Sequence, residues 1–114
     1  SVTQGIAKAW ININATAGTA ANQDSYNVAD FEDISTGTYE ITLDDDMNSA
    51  NSYVVVCGGH DGVVADQRFQ VGMTGVNLAA GVFRLIGSRE DGTSGVSTHA
   101  DGVDVMAAVF GEYA

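Results

Sequence analysis

From Ile6 to Asn14 the chain alternates with a period of two, with Ala7, Ala9, Ile11 and Ile13 on one side and Ile6, Lys8, Trp10 and Asn12 on the other. Apolar groups stand on both sides. This predicts a strand covered by the core on one face and by a second sheet or a second subunit on the other, and it puts Trp10 near a subunit contact. A polar stretch from Ala15 to Ser25 follows, in which no strand is predicted. Tyr26 and Val28 alternate again, and the pattern then slips to admit Phe31, which predicts a bulge. After Ser35-Thr36-Gly37, the segment Thr38 to Leu43 is cleanly amphipathic, with Tyr39, Ile41 and Leu43 inward and Thr38, Glu40 and Thr42 outward.

Asp44-Asp45-Asp46 closes that strand. The near-continuous apolar run from Tyr53 to Cys57 then predicts a central strand buried on both faces, which assigns Val54 and Val56 to the core together with Ile41. Gly58 to Gly62 reads as the turn that follows. Weaker strands are predicted at Asp66 to Val71 and Gly81 to Ile86, the stretch from Ser88 to Gly102 reads as a long loop, and a strong strand runs from Val103 to Phe110. No stretch longer than about ten residues keeps the helical period of 3.6. The expectation is one all-β domain over residues 1–114, an antiparallel β-sandwich or jelly-roll-like unit.

Composition sharpens this. Fourteen glycines and no proline suit many tight turns, and the absence of proline removes one means of protecting sheet edges, leaving charge, closure or a neighbouring subunit. Fifteen acidic residues oppose four basic ones (Lys8, Arg68, Arg84, Arg89), a net charge of -11. Such a chain is repelled by phosphate backbones and anionic membranes, so neither nucleic acid nor membrane insertion is expected. No apolar run is long enough to span a bilayer, and no basic start leads into an apolar signal segment. The single cysteine, Cys57, excludes an internal disulfide and reads as a buried, inert thiol.

Candidate chemistry is sparse. Asp44, Asp46 and Asn48 match the first ligands of an EF-hand loop, but Ser49 stands where the glycine belongs and Val55 where the bidentate glutamate belongs. No metal and no other cofactor is therefore expected. His60 and His99 sit near Asp61 and Asp101 in sequence, but without a ligand spacing such as H-x-H or H-E-x-x-H. Ser94 and Ser97 lie near His99 without a G-x-S-x-G elbow, and Gly58 to Gly62 lacks the spacing of a phosphate cradle. No catalytic residue is assigned, and the chain is not expected to be an enzyme.

The opening Ala7-Lys8-Ala9-Trp10-Ile11-Asn12-Ile13 resembles the K-A-W-V-N-F start of C-terminal modules of bacteriophage tail fibres. Ser25-Tyr26-Asn27-Val28, then Gly37 to Leu43 and Asn48 to Val55, are similar to that family's S-F-N-V, G-x-Y-x-V-x-F and A-N-Y-x-V elements, in the same order. Phe83-Arg84 and Val103 to Gly111 resemble its last strands. The resemblance implies a sandwich-like unit at a fibre end, usually a homotrimer, made in the host cytoplasm and carried on the virion to meet a bacterial surface glycan or outer-membrane protein. Two other readings stay open: a structural virion component such as a capsid decoration or head fibre, and a carbohydrate-binding module. If the module binds a receptor, loops on the scaffold are the expected contact. The candidates are His60 and Asp61 in one loop and Arg89, Glu90, Asp91, His99 and Asp101 in the other.

Overall fold

A computed structural model describes residues 5–16, 19–60, 67–91 and 97–114. Among these the chain forms nine strands and no α-helix: β1 (Ala9–Asn14), β2 (Ala21–Tyr26), β3 (Val28–Ser35), β4 (Thr38–Leu43), β5 (Tyr53–His60), β6 (Gln67–Ala79), β7 (Val82–Asp91), β8 (Ser97–His99) and β9 (Asp104–Gly111). They build two antiparallel sheets. Sheet A is four-stranded in the order β2-β1-β9-β5; sheet B is five-stranded, β3-β4-β7-β6 with β8 added beside β7. The all-β, two-sheet expectation is met.

The inner faces meet in one core. Ala9, Ile11, Ile13, Val105, Ala107 and Val109 come from sheet A, and Tyr39, Ile41, Leu43, Phe83 and Leu85 from sheet B. The alternation in β4 is as the sequence predicts, with Tyr39, Ile41 and Leu43 buried and the residues between them half-exposed. The predicted slip is also present, as an irregularity in the β3–β4 register between Val28 and Asp30. A large aromatic is seated where three backbones have no side chain. A Cβ on Gly59, Gly87 or Gly102 would come within 3.0, 2.8 or 2.7 Å of the Phe69 ring.

Four expectations are corrected. First, β5 is the edge strand of sheet A rather than a central one: among the described residues it pairs only with β9, and Val54 and Val56 are each 61% exposed while Tyr53, Val55 and Cys57 turn to the core. A five-residue apolar run fits both burial on two faces and burial on one beneath an apolar outer face. Second, the polar stretch before Tyr26 contains β2. Its residues are poor strand formers, but β1 offers a row of hydrogen-bonding partners, broken by one bulge between Asn12 and Ile13, and pairing overrides propensity. Third, Gly58 to His60 extend β5 instead of turning. Fourth, the supposed loop from Ser88 to Gly102 begins with the end of β7 and includes β8, which pairs Ser88 with His99 and Glu90 with Ser97.

The sandwich has two distinct ends. At the first, the chain passes from sheet A to sheet B through one residue, Asn27, at φ 57°. The Asn27 side chain donates to the carbonyls of Lys8 and Asp45 and accepts from the Asp45 amide. The start of β1 and the end of β9 also lie here: the Lys8 amide donates to Val109 O, and the Asn48 amide to Glu112 O. At the second end, the Ala15 amide donates to Val103 O and the Val103 amide to His60 O, while the Gly87 amide donates to Gly37 O and the Ala100 amide to Gly87 O. Gly37 requires its left-handed φ of 75° in the two-residue turn between β3 and β4.

Candidate functional surfaces

The connections from β1 to β2, β3 to β4, β5 to β6, β7 to β8 and β8 to β9 all leave from the second end, opposite to the entry of β1 and the exit of β9. The two stretches expected to meet a receptor therefore rise from one end of the scaffold. Their residues differ in what they do there. His60 closes β5, and its Nε2 lies 2.6 Å from Asp104 Oδ2, with the imidazole about half exposed. The other oxygen of Asp104 accepts from Gln23 Nε2 at 2.7 Å. This links β5, β9 and β2 across the end of sheet A and gives His60 a carboxylate partner, Asp104, that is 44 residues away. Asp61 lies outside the described residues.

Asp101 is half-buried and engaged through one of its two oxygens. Its Oδ1 accepts from the Tyr39 hydroxyl at 2.6 Å and from the Gly37 amide at 2.8 Å, pinning the β8–β9 connection to the β3–β4 turn. Burial, then the hydrogen bond to Asp101, then the charges of Asp101 and Asp33, all raise the Tyr39 phenol far above its ordinary pKa. Asp33 is itself raised, by desolvation and by Asp101. Arg89 and Glu90 are half-buried on β7, Asp91 ends that strand, and His99 is exposed on β8. Sequence proximity of His99 and Asp101 thus does not make a pair, because the Asp101 carboxylate faces Tyr39.

Metal and nucleophilic chemistry gain no geometry. Among the described residues no three His, Cys, Asp or Glu side chains converge as metal ligands would. Burial raises the Cys57 thiol, whose sulfur lies 3.5 Å from the Val71 carbonyl, so the reactive thiolate is disfavoured.

The outer faces of the two sheets contrast. On sheet B, Glu40 stands between Glu32 and Arg84 in the register and receives Arg84 Nε at 3.1 Å; Thr38, Thr42 and Thr74 share that face with Val82 and Ile86. On sheet A the rows run Tyr26, Trp10, Ala108, Val56 and, one step on, Asp24, Asn12, Met106, Gly58. Val54 and Phe110 continue the apolar surface beyond. Trp10 is 38% exposed and Met106 40%, and a shallow open trough runs between Trp10, Val56, Met106 and Ala108. The alternation of β1 puts Trp10 on this outer face, as the sequence predicts. The sequence misses Val54, Val56 and Met106, although the even-numbered positions of β5 and β9 carry the signal once the register is known.

No family model, curated protein or solved structure matches this chain.

Proposed function

We propose that this chain is a fibre module of a bacterial virus, assembled from copies of itself and borne on the virion, which attaches to the host surface through the end of the sandwich that carries the β5–β6 and β7–β8 connections. It acts by binding and catalyses no reaction. One observation carries the reading: both candidate loops leave the end opposite to the entry of β1 and the exit of β9. A covalent tether at either terminus leaves that end facing outward, as a fibre tip requires. The resemblance of the strand motifs to tail-fibre modules supports it independently.

The second reading is a carbohydrate-binding face, favoured by Trp10 standing directly across from Tyr26 on sheet A. A sugar needs several polar groups beside its aromatic platform, yet the trough beside Trp10 offers the Asn12 side chain among Val56, Met106 and Ala108. The attachment reading is tested by incubating labelled protein with a panel of bacterial strains and measuring cell-bound signal and block of virus adsorption. His60→Ala and His99→Ala, folded by circular dichroism, are expected to lose binding to the strain that the parent recognises. Parent protein that binds no strain and blocks no adsorption would favour a purely structural virion role.

A further inference from the structure

We infer that the outer face of sheet A is the surface on which a second copy of this chain docks, with Trp10, Val56 and Met106 at the centre of the contact. The inference rests on the self-assembly in the reading above and names its surface.

Solvent alone does not account for the face. The outer face of sheet B, exposed to the same water, sets Val82 and Ile86 among Glu32, Glu40, Arg84 and three threonines, whereas sheet A presents Tyr26, Trp10, Val54, Val56, Met106, Ala108 and Phe110 in adjoining rows, with Asn12 and Asp24 beside them. Two of these, Val54 and Val56, sit on an edge strand, where an isolated protein protects itself with charge. Contiguous apolar surface of this kind marks an interaction site.

Charge selects the occupant. With a net charge of -11, copies of this chain repel one another, and the acids lie mainly elsewhere: Asp30, Glu32 and Asp33 on β3, Glu40 on β4, and Asp44, Asp45 and Asp46 after it. On the outer face of sheet A the acids stand at the margins. Asp24 is on edge strand β2, and Asp104, at the loop end, is engaged by His60 and Gln23. The centre is neutral, so this is where two equally acidic copies meet with the least repulsion. A basic partner would be drawn to the acidic strands instead, and a glycan would need more hydrogen-bonding side chains than Asn12, the one polar side chain that lines the trough among the described residues.

The size of the face sets the strength. Four strands about 4.8 Å apart and six residues of about 3.3 Å each give a footprint of roughly 400 Å², about half of the usual 800 Å² per partner. Contact between free copies is therefore weak. Copies linked in one fibre gain an effective concentration in the millimolar range and stay engaged.

Trp10 is the only tryptophan, so its fluorescence reports burial of this face directly. Sedimentation and Trp10 emission should be followed together from about 10 μM to 1 mM, in about 0.1 and 0.5 M salt. The expected result is reversible association to two or three copies, accompanied by a blue shift of Trp10 and stronger at high salt, where the acidic repulsion is screened. Val56→Lys should weaken association at least about tenfold, Val56→Thr should weaken it less, and Thr74→Lys on sheet B should leave it unchanged; Val56→Thr keeps the test valid if the lysine variant does not fold. A monomer at 1 mM in high salt, association without a Trp10 shift, or equal association by Val56→Thr and parent would overturn the inference. So would a shift of Trp10 on adding a soluble oligosaccharide to the monomer. None of these outcomes depends on cell binding, so the attachment reading stands or falls separately.

Discussion

Removing the Tyr39 hydroxyl isolates the contact that joins the two connections at the loop end. Tyr39 is fully buried, and its hydroxyl donates to Asp101 at 2.6 Å. A hydrogen bond to a charged acceptor contributes about 1.5–3 kcal/mol. In Tyr39→Phe the carboxylate keeps the Gly37 amide, which limits the loss to about 2 kcal/mol. Unfolding entropy of about 2.1 cal/mol/K per residue over 114 residues is about 240 cal/mol/K, so Tm should fall by about 8 °C. Asp101→Ala strands both the phenol and the Gly37 amide and should cost more, about 3 kcal/mol. Because the two residues share one bond, the double variant should fall short of the sum by about 1.5 kcal/mol. Urea unfolding of the four proteins measures this cycle. Additivity within about 0.3 kcal/mol, or a Tm for Tyr39→Phe within 2 °C of the parent (about 0.5 kcal/mol), would refute the coupling.

Asn27→Ala loses three side-chain hydrogen bonds and places alanine at φ 57°, so it should destabilise by about 2–4 kcal/mol, measured by urea unfolding; Asn27→Gly, free of the backbone penalty, should cost less. Tyr39, Tyr53 and Cys57 are all raised above ordinary values of 10.0, 10.0 and 9.0. The folded state then keeps protons that the unfolded chain releases, and the contribution of these three groups should be level below about pH 8 and fall as pH rises past 9 to 10; equilibrium unfolding against pH should show less of this fall in Tyr39→Phe. Asp33 is raised as well, so its charge opposes folding above the ordinary carboxylate range. Asp33→Asn should raise Tm slightly at pH 7 and not at pH 2–3, by differential scanning calorimetry. Chelator should leave Tm unchanged, because the Asp44 loop lacks the glycine and bidentate glutamate of a calcium site.

Where burial alternates strictly, the fold was legible: β4 and the two faces of β1 follow directly from Tyr39, Ile41, Leu43 and from Ile11 and Ile13 against Trp10. The signal fails where position in the sheet, rather than composition, decides. Val54 and Val56 look like core residues because valine reads alike on an inner face and on an apolar outer one. Asn22 to Ser25 look like loop because the hydrogen bonds that make them a strand come from β1. β8, three residues long, is too short to show a period. The candidate site was hidden for a related reason, since its decisive pairs are far apart in sequence: His60 with Asp104, and Tyr39 with Asp101, 62 residues away. Proximity along the chain suggested Asp101 for His99, yet Asp101 faces Tyr39, and only the register of β5 on β9 brings Asp104 to His60.

The pairing of sheet A also sets an order of assembly. β9 lies between β1 and β5, with Ala9 opposite Val109 and Val55 opposite Val109 from the other side. Until β9 is made, β1 has only β2 and β5 has no partner in its own sheet, whereas β3, β4, β6 and β7 can already pair. A ribosome-bound chain lacking β9 would hold sheet B beside two open edges, one of them carrying Val54 and Val56. The last strand is thus the one that closes the fold, and loops this long in sequence close slowly. Nascent copies emerging on neighbouring ribosomes would expose those edges to each other during that interval, so chaperone demand and mispairing should concentrate there, and shortening β9 should harm yield more than shortening β3 by as many residues.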